Sequence, residues 1–575
     1  MIAPVIPAWA ATGDPVHVVT VPEIQGSGQF SPFQGEIVET TGVVTLITAN
    51  GRDMWIQDVG GDGDPATSDG IFVDDRNTLF PQPEVGDLVT ITGQVEEQQF
   101  GTALPLTRID DTVLVSILST GNALPAATQL RDLPDESLQE GIAFWEALEG
   151  MLVEIRNGTV VAPTTRFGEF GMLTRTDARP GSGVFIPTNQ VLIRSLGDNM
   201  VDYNPERILV DDASIDDPII VTPGDTVRRL TGVVDYTFGA YKLQPASFQV
   251  GNKDLPRSPA SRRSGPSGNT RITTYNVENL FDLENNPDKD DAGSTPEPEE
   301  LEIQLAKLAN SIIVELELPE ILITQEGENT EIMQVLADRV NALAGTDYQA
   351  ASFETSDGRG IEVAFLWDTH RVGLTDVFQL SGPDVDAAFG PDSASPGREP
   401  LVGVFDIGGY ELTIVGNHFK SKGGDDALFS VNDPPIRITE EQRKLQAQVV
   451  RDFVNGILDA DPYALVMVAG DLNDFQFGEP GEGEDHPVAI VEGFGDEVPL
   501  TNLVNLELDS ERYTFVFDGN SQVLDHMLVS PALLYYFRAV DILHFNAGFP
   551  AALSEDTSTT LRSSDHDPIE SRFSF

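Results

Sequence analysis

Between residues 36 and 110, apolar and polar positions alternate with a period of two over short runs. The runs "EIVETTGVVTLI", "DMWIQDV", "DGIFVDD" and "VGDLVTITGQV" are separated by Gly, Asp and Pro, which predicts short strands joined by turns. The pattern returns further on. "VGDLVTITGQVEEQQFG" (Val85 to Gly101) is echoed by "PGDTVRRLTGVVDYTFG" (Pro223 to Gly239), with Gly-Asp before the strand, Thr-Gly inside it and Phe-Gly after it. A repeat of this kind predicts two similar small β-barrels. "KDLPRSPASRRSGPSGN" then loses all periodicity and reads as a linker.

From Thr270 the period changes. "PEELEIQLAKLANSIIVEL", "NTEIMQVLADRVNAL" and "TEEQRKLQAQVVRDFVNGIL" carry helical spacing, the last opening on Thr439 and Gln442 as a capping box. Apolar strands "EILIT", "IEVAFLW", "ELTIVG", "ALVMVAG" and "VLDHMLVS" lie between and after them, which predicts a layered α/β domain. The acidic "DLENNPDKDDAGSTPEPEE" is a solvated loop in this reading. The expected boundaries are a tail over 1–20, a first barrel over 21–115, a second β domain over 116–253, a linker over 254–269 and the α/β domain over 270–575.

Composition narrows the classes. The 575 residues exceed a single core at about 100 to 200 residues per domain. No run approaches the roughly 18 apolar residues of a membrane span. The opening "MIAPVIPAWAATGD" reads either as an export-signal remnant or as a disordered tail, and it lacks a basic n-region. The absence of cysteine excludes disulfides, thiolate metal sites and cysteine nucleophiles. The formal charge of −59, from 93 acidic against 34 basic residues, excludes a basic DNA-binding module. It points to a salty habitat, where screening shortens charge repulsion.

Chemistry enters at the strand ends. "RITTYNVENLFD" is strand-like to Tyr275 and then meets Asn276, ordinarily a turn former. The other strands end in the same way: Glu326 after "EILITQ", His418 after "ELTIVGN", Asp471 and Asn473 after "ALVMVAG", Asp525 in "VLDHMLVS", and Asp565 and His566 in "SSDHDP". Unpaired acidic and imidazole groups are costly at the margin of a core, so their repetition asks for one shared site.

In order, Asn, Gln-Glu, Asn-His, "GDLND", Leu-Asp and "SSDHDP" resemble the endonuclease/exonuclease/phosphatase superfamily over residues 270–575. The front half, with "WIQDVGGDGDPATSDGIFVDD", is similar to the large extracellular nucleases of that superfamily, whose N-terminal domains are oligonucleotide-binding (OB)-like barrels. The resemblance implies two packed β-sheets with helices outside, a four-layer α/β sandwich behind all-β OB-like barrels, and metal-dependent hydrolysis of phosphate esters. It implies Asp471 as the residue that positions the attacking water and Asn473 as a phosphate contact. His566, oriented by Asp525, and His418, oriented by Glu362, would flank the phosphate. Oxygen-rich sites suit Mg²⁺ or Mn²⁺, here through Glu326, Asn276 and Asp565. Arg359, Lys420 and Lys422 are the candidate phosphate-binding cations; two of only seven lysines flank His418.

In the first barrel, Asp58, Asp62, Asp64 and Asp69 stand among glycines. Such loops hold Ca²⁺, and a plain acidic turn accounts for them equally. His526 should face away from its neighbour Asp525. The leading expectation is a secreted, divalent-metal-dependent nuclease acting on DNA, with RNA left open, and with little sequence specificity. A phosphatase or phosphodiesterase for lipid or inositol phosphates is the alternative, and a noncatalytic extracellular binding protein is the second. Nucleic acid is the expected partner, with no stable protein partner and no membrane span.

Overall fold

The computed structural model describes residues 15–134, 137–179, 189–197, 200–251, 269–286, 289, 294–479 and 485–575. The expected linker and most of the expected N-terminal tail lie outside them, as does part of the acidic segment after Asp282. The chain divides into two compact units. One comprises Met1–Val191, Tyr203–Asp254 and Asp426–Ile436; the other comprises Leu192–Asp202, Leu255–Asp425 and Arg437–Phe575.

The first unit is mostly β. Strands Ile37–Ile47, Met54–Gln57, Gly70–Val73, Leu88–Gln98 and Leu106–Ser119 pair in the order first, second, third, fifth, fourth, and the first also pairs with the fourth. The sheet therefore closes on itself, with the third and fifth strands parallel. Period-two alternation sends Val38, Val44, Met54, Ile56, Ile71, Val89, Ile91 and Ile109 into one core. Strands Leu152–Ala162, Phe170–Leu173, Ile208–Val210, Thr226–Thr237 and Ala240–Gly251 repeat the same order, closure and parallel pair. The two echoed segments form the fourth strand of each barrel, so the sequence repeat marks a structural one. Each barrel also carries a short parallel strand on its first strand, Val16–Val18 and Thr128–Leu130. Ordered structure therefore begins before residue 21, where the sequence placed the first barrel.

The second unit stacks two six-stranded sheets. One runs Tyr348–Ser352, Glu362–Asp368, Ile321–Gly327, Thr270–Leu280, Ile569–Phe573, Phe537–Ile542; the other runs Gly373–Gln379, Arg398–Ile407, Tyr410–His418, Leu465–Asp471, Asp525–Val529, Thr501–Asn502. Alternate residues go to opposite faces. Ile321, Ile323, Met467 and Ala469 meet between the sheets. Leu322 packs under helices Pro298–Val314 and Thr330–Ala344, and Val466 and Val468 pack under Glu440–Ala460. With both faces buried, these strands read as unbroken apolar runs. The layers are helix, sheet, sheet, helix.

The capping box at Thr439 and Gln442 does not form. Thr439 has helical backbone angles and makes no side-chain cap; its hydroxyl bonds Asp425 and accepts from Arg443. Gln442 turns to the carbonyls of Ala388 and Ser395. Tertiary partners took both side chains. Among the described residues, no helix is long and apolar enough to cross a membrane.

Candidate active site

The central pairs of the two sheets, Thr270–Leu280 with Ile321–Gly327 and Tyr410–His418 with Leu465–Asp471, are parallel, so each pair presents its carboxyl ends together. The antiparallel neighbours begin where these end. His418 lies opposite Asp471, Asp471 opposite Asp525, and Ile569, just after "SSDHDP", opposite Thr274. This register is why residues scattered over some 290 positions share one place.

Backbone irregularity aims two of them. The first pairing slips between Asn276 and Leu280, and the second strand bulges between Gln325 and Gly327. Glu326 sits in the bulge at φ 67°, and Glu278 and Asn279 have φ 55° and 49°. Bulges and left-handed non-glycine residues re-aim side chains at functional sites. Gly470 has the reverse role, because a Cβ there would lie 2.0 Å from the Asn417 carbonyl oxygen. No other residue allows that approach just before Asp471.

Asp471 is buried at the centre. Its Oδ1 accepts from the Asn473 amide at 2.8 Å and its Oδ2 from Asn276 Nδ2 at 3.3 Å. His418 Nε2 lies 3.5 Å from Asp471 Oδ2 and 3.8 Å from Glu326 Oε1. The Asn279 amide donates to the other Glu326 oxygen at 3.1 Å. His566 Nδ1 is 2.7 Å from Asp525 Oδ2, a pairing that fixes the ring and leaves Nε2 toward the site. Burial, then the charge of Asp525, pushes the Asp471 carboxyl up to about 7. Burial alone would depress His566, but Asp525 and Asp471 outweigh it and hold the imidazole well above its usual value. Burial first, then Arg398 and Arg359, keep His418 well below it.

A cationic edge adjoins His418. Arg398 stands directly across the strand pair from it. Its NH1 bonds Asp357 at 2.8 Å, and it donates to the Phe419 carbonyl. Arg359 is exposed, 3.6 Å from Asp357. Burial, then Arg398 and Arg359, lower the Lys420 ammonium. Arg398 was missed from the sequence, where it stands 20 residues before His418; the sign was a lone arginine opening a strand of an acidic chain. Glu278 was missed as well. Burial, then Asp565, pushes its carboxyl up to about 7.

Three expected assignments need correction. Glu362 does not orient His418, whose Nδ1 has no hydrogen-bond partner. Val363 and Phe365 face the inter-sheet core, so Glu362, like Ala364 and Leu366, faces the helix layer. Lys422 is not a free phosphate ligand: it lies 3.3 Å from Asp474, 3.0 Å from Glu479 and over the Phe475 ring. Asp58, Asp62 and Asp64 instead accept from amides two residues on, as turn residues do, and the aspartate cluster close enough to hold an ion in this barrel is Asp53, Asp74 and Asp75. That cluster is paired with Arg52 and Arg108. His526 turns away from Asp525 as expected, to Asn502 and the Asp474 carbonyl.

The donor set suits a hard divalent cation. Asp471, Asp525 and His566 offer atoms within 4.8 Å of one another, and Asp525 Oδ1 is buried without a partner. Asn276 and Glu326 face this cluster through their contacts with Asp471 and His418. Asp565 is half-buried beside it, and its charge acts on Glu278 and His566.

Residues 116–253 match a family described as a domain of unknown function. None of the curated proteins matches the chain. Solved structures similar to it include an endonuclease/exonuclease/phosphatase from Bacteroides vulgatus (17% identity, 52% of this chain and 97% of that chain, TM-score 0.34). D. rerio TDP2 complexed with single strand DNA product is similar at 17% identity over 53% of this chain and 99% of that chain, with TM-score 0.35. The human Nocturnin catalytic domain follows at 16%, 53%, 94% and 0.34. Residues 271–545 match the model of the Endonuclease/Exonuclease/phosphatase family. Over those residues the chain is similar to the endonuclease/exonuclease/phosphatase family.

Proposed function

We propose that the chain is an extracellular, divalent-metal-dependent nuclease that hydrolyses phosphodiester bonds of DNA with little sequence specificity, with RNA left to the test below. The observation that carries this reading is the buried Asp471 flanked by two histidines, His566 held by Asp525 and His418 opposite Arg398. Asp471 Oδ2 is placed to orient a water and take its proton. His566, oriented by Asp525, donates to a non-bridging oxygen and steadies charge as it develops on the phosphate. Asn473, Arg359 and Lys420 hold the remaining oxygens. A bound Mg²⁺ or Mn²⁺ supplies charge neutralisation for the phosphate.

The first unit supports a strand-holding role. Its two closed five-stranded barrels, with the third strand parallel to the fifth, have the order expected of OB-like domains. The extracellular part rests on the resemblance to extracellular nucleases. The test is incubation with plasmid DNA, RNA, phosphoinositides and sphingomyelin, each with Mg²⁺, Mn²⁺, Ca²⁺ or chelator. Chelator-sensitive plasmid degradation is the expected result; turnover of lipid phosphates alone would replace the nuclease reading.

A further inference from the structure

The site contains a second His–Asp pair that the reaction above does not use. His544 Nδ1 is 2.8 Å from Asp567 Oδ2, and His544 Nε2 is 3.2 Å from the Glu511 carbonyl. Asp567 Oδ1 accepts from the amides of Phe545, Asn546 and Ala547. Asn546 in turn donates to the His566 carbonyl at 2.8 Å and accepts from the Ser563 amide at 2.8 Å. The Ser564 hydroxyl donates to the Asn276 carbonyl at 2.7 Å.

Three consecutive residues join the two pairs. Tyr513 stacks on His544 with centroids 3.9 Å apart and planes at 11°. Phe515 lies against His566 at 4.6 Å and 31°. Between them Thr514 is wholly buried. Its hydroxyl oxygen accepts from the amides of Leu524 and Asp525 at 3.1 and 3.2 Å, and its carbonyl accepts from the Asp567 amide at 2.7 Å. One residue therefore touches the backbone of both aspartates while its neighbours cover both imidazoles.

We propose that Tyr513-Thr514-Phe515 is a clamp that fixes the His566–Asp525 pair, with Thr514 as its central positioning residue. The hydroxyl sets where Asp525 leaves its strand, and so where its carboxylate meets His566. The Phe515 ring limits tilting of the imidazole. Removing the hydroxyl leaves two buried amides unsatisfied at that point and lets the pair drift. Misplacement of an orienting group reduces turnover far more than it weakens substrate binding. This rests on the reading of His566 as a hydrolytic residue, so the test includes a measurement that needs no activity.

Thr514→Val keeps the side-chain shape and deletes the acceptor, whereas Thr514→Ser restores it. The low-field proton NMR signal of the His566–Asp525 bond, assigned by its loss in Asp525→Asn, should survive in Thr514→Ser and broaden or vanish in Thr514→Val. On plasmid DNA, kcat should fall at least about tenfold in Thr514→Val with KM within about twofold, and recover to within about threefold in Thr514→Ser. Should Thr514→Val not fold, Phe515→Leu replaces it, with an about fivefold loss of kcat expected. Retention of the low-field signal and of kcat in the folded variant, or equal losses in Val and Ser, overturns the clamp. Failure of the wild type to cleave any phosphodiester overturns the proposed function while the NMR comparison still decides the clamp.

Discussion

Asp471 and Glu326 stand on different strands and His566 in the turn before Ile569–Phe573, and each has its own role, so their loss should be severe and separable from stability. Asp471→Ala, His566→Ala and Glu326→Gln are each expected to lower initial rates on DNA by at least about a hundredfold. Their melting transitions should stay intact. Asp525→Asn keeps the imidazole but weakens its orientation, and its loss should be milder than that of His566→Ala. Glu362 gives the contrasting case. Because it faces the helix layer, Glu362→Gln should stay within about twofold of wild-type kcat. A hundredfold loss with unchanged folding would restore it as a partner of His418.

At the scale of elements, the "GDLND" turn is anchored by charges as well as by the buried Leu472. Asp474 is buried, with Arg443 at 2.7 Å and Lys422 at 3.3 Å, and Lys422 and Arg437 converge on Glu479. Burial by itself would raise the Asp474 carboxyl, but Lys422 and Arg443 outweigh it and hold it well below the usual range. A depressed folded-state value means that the unfolded chain binds more protons, so this stability is present above the ordinary aspartate value of about 3.9 and is lost as pH falls below it. Asp474→Ala removes one partner of a buried pair and should cost about 3 kcal/mol. Thermal melts at neutral pH and near pH 3 check both points: the variant should melt lower at neutral pH and lose less on acidification than the wild type.

At the scale of the whole molecule, the charge of −59 would act against the polyanionic substrate proposed above. A basic nucleic-acid binder loses affinity steeply as salt rises, through counterion release. Here screening relieves repulsion, while Arg359 and Lys420 act at contact distance. Turnover at low DNA concentration and saturating Mg²⁺ should therefore hold level or rise from about 0.05 M to 0.5 M NaCl, as the Debye length falls from roughly 14 Å to 4 Å. A steady loss of activity over that range, with unchanged circular dichroism, would mean that local phosphate contacts dominate and that the salt-adapted reading fails.

The sequence by itself determined the element types and the list of strand ends. Period-two runs, helical spacing and the repeated Gly-Asp, Thr-Gly and Phe-Gly positions are local properties of the chain, and polar groups closing apolar runs stand out wherever a core is being spared an unpaired charge. Tertiary structure decided what faces what. Strands buried on both faces carry no hydrophobic phase, so "IEVAFLW" could not show that Glu362 points away from His418. Arg398 meets His418 only through hairpin register, and Lys422 is claimed by carboxylates 52 and 57 residues further along. Asp567 and His544 pair across a loop, and Thr439 gave up its cap for Asp425 and Arg443. In each case the partner comes from a non-adjacent segment, and a polar side chain at the edge of a core takes the strongest buried partner that the packing brings to it.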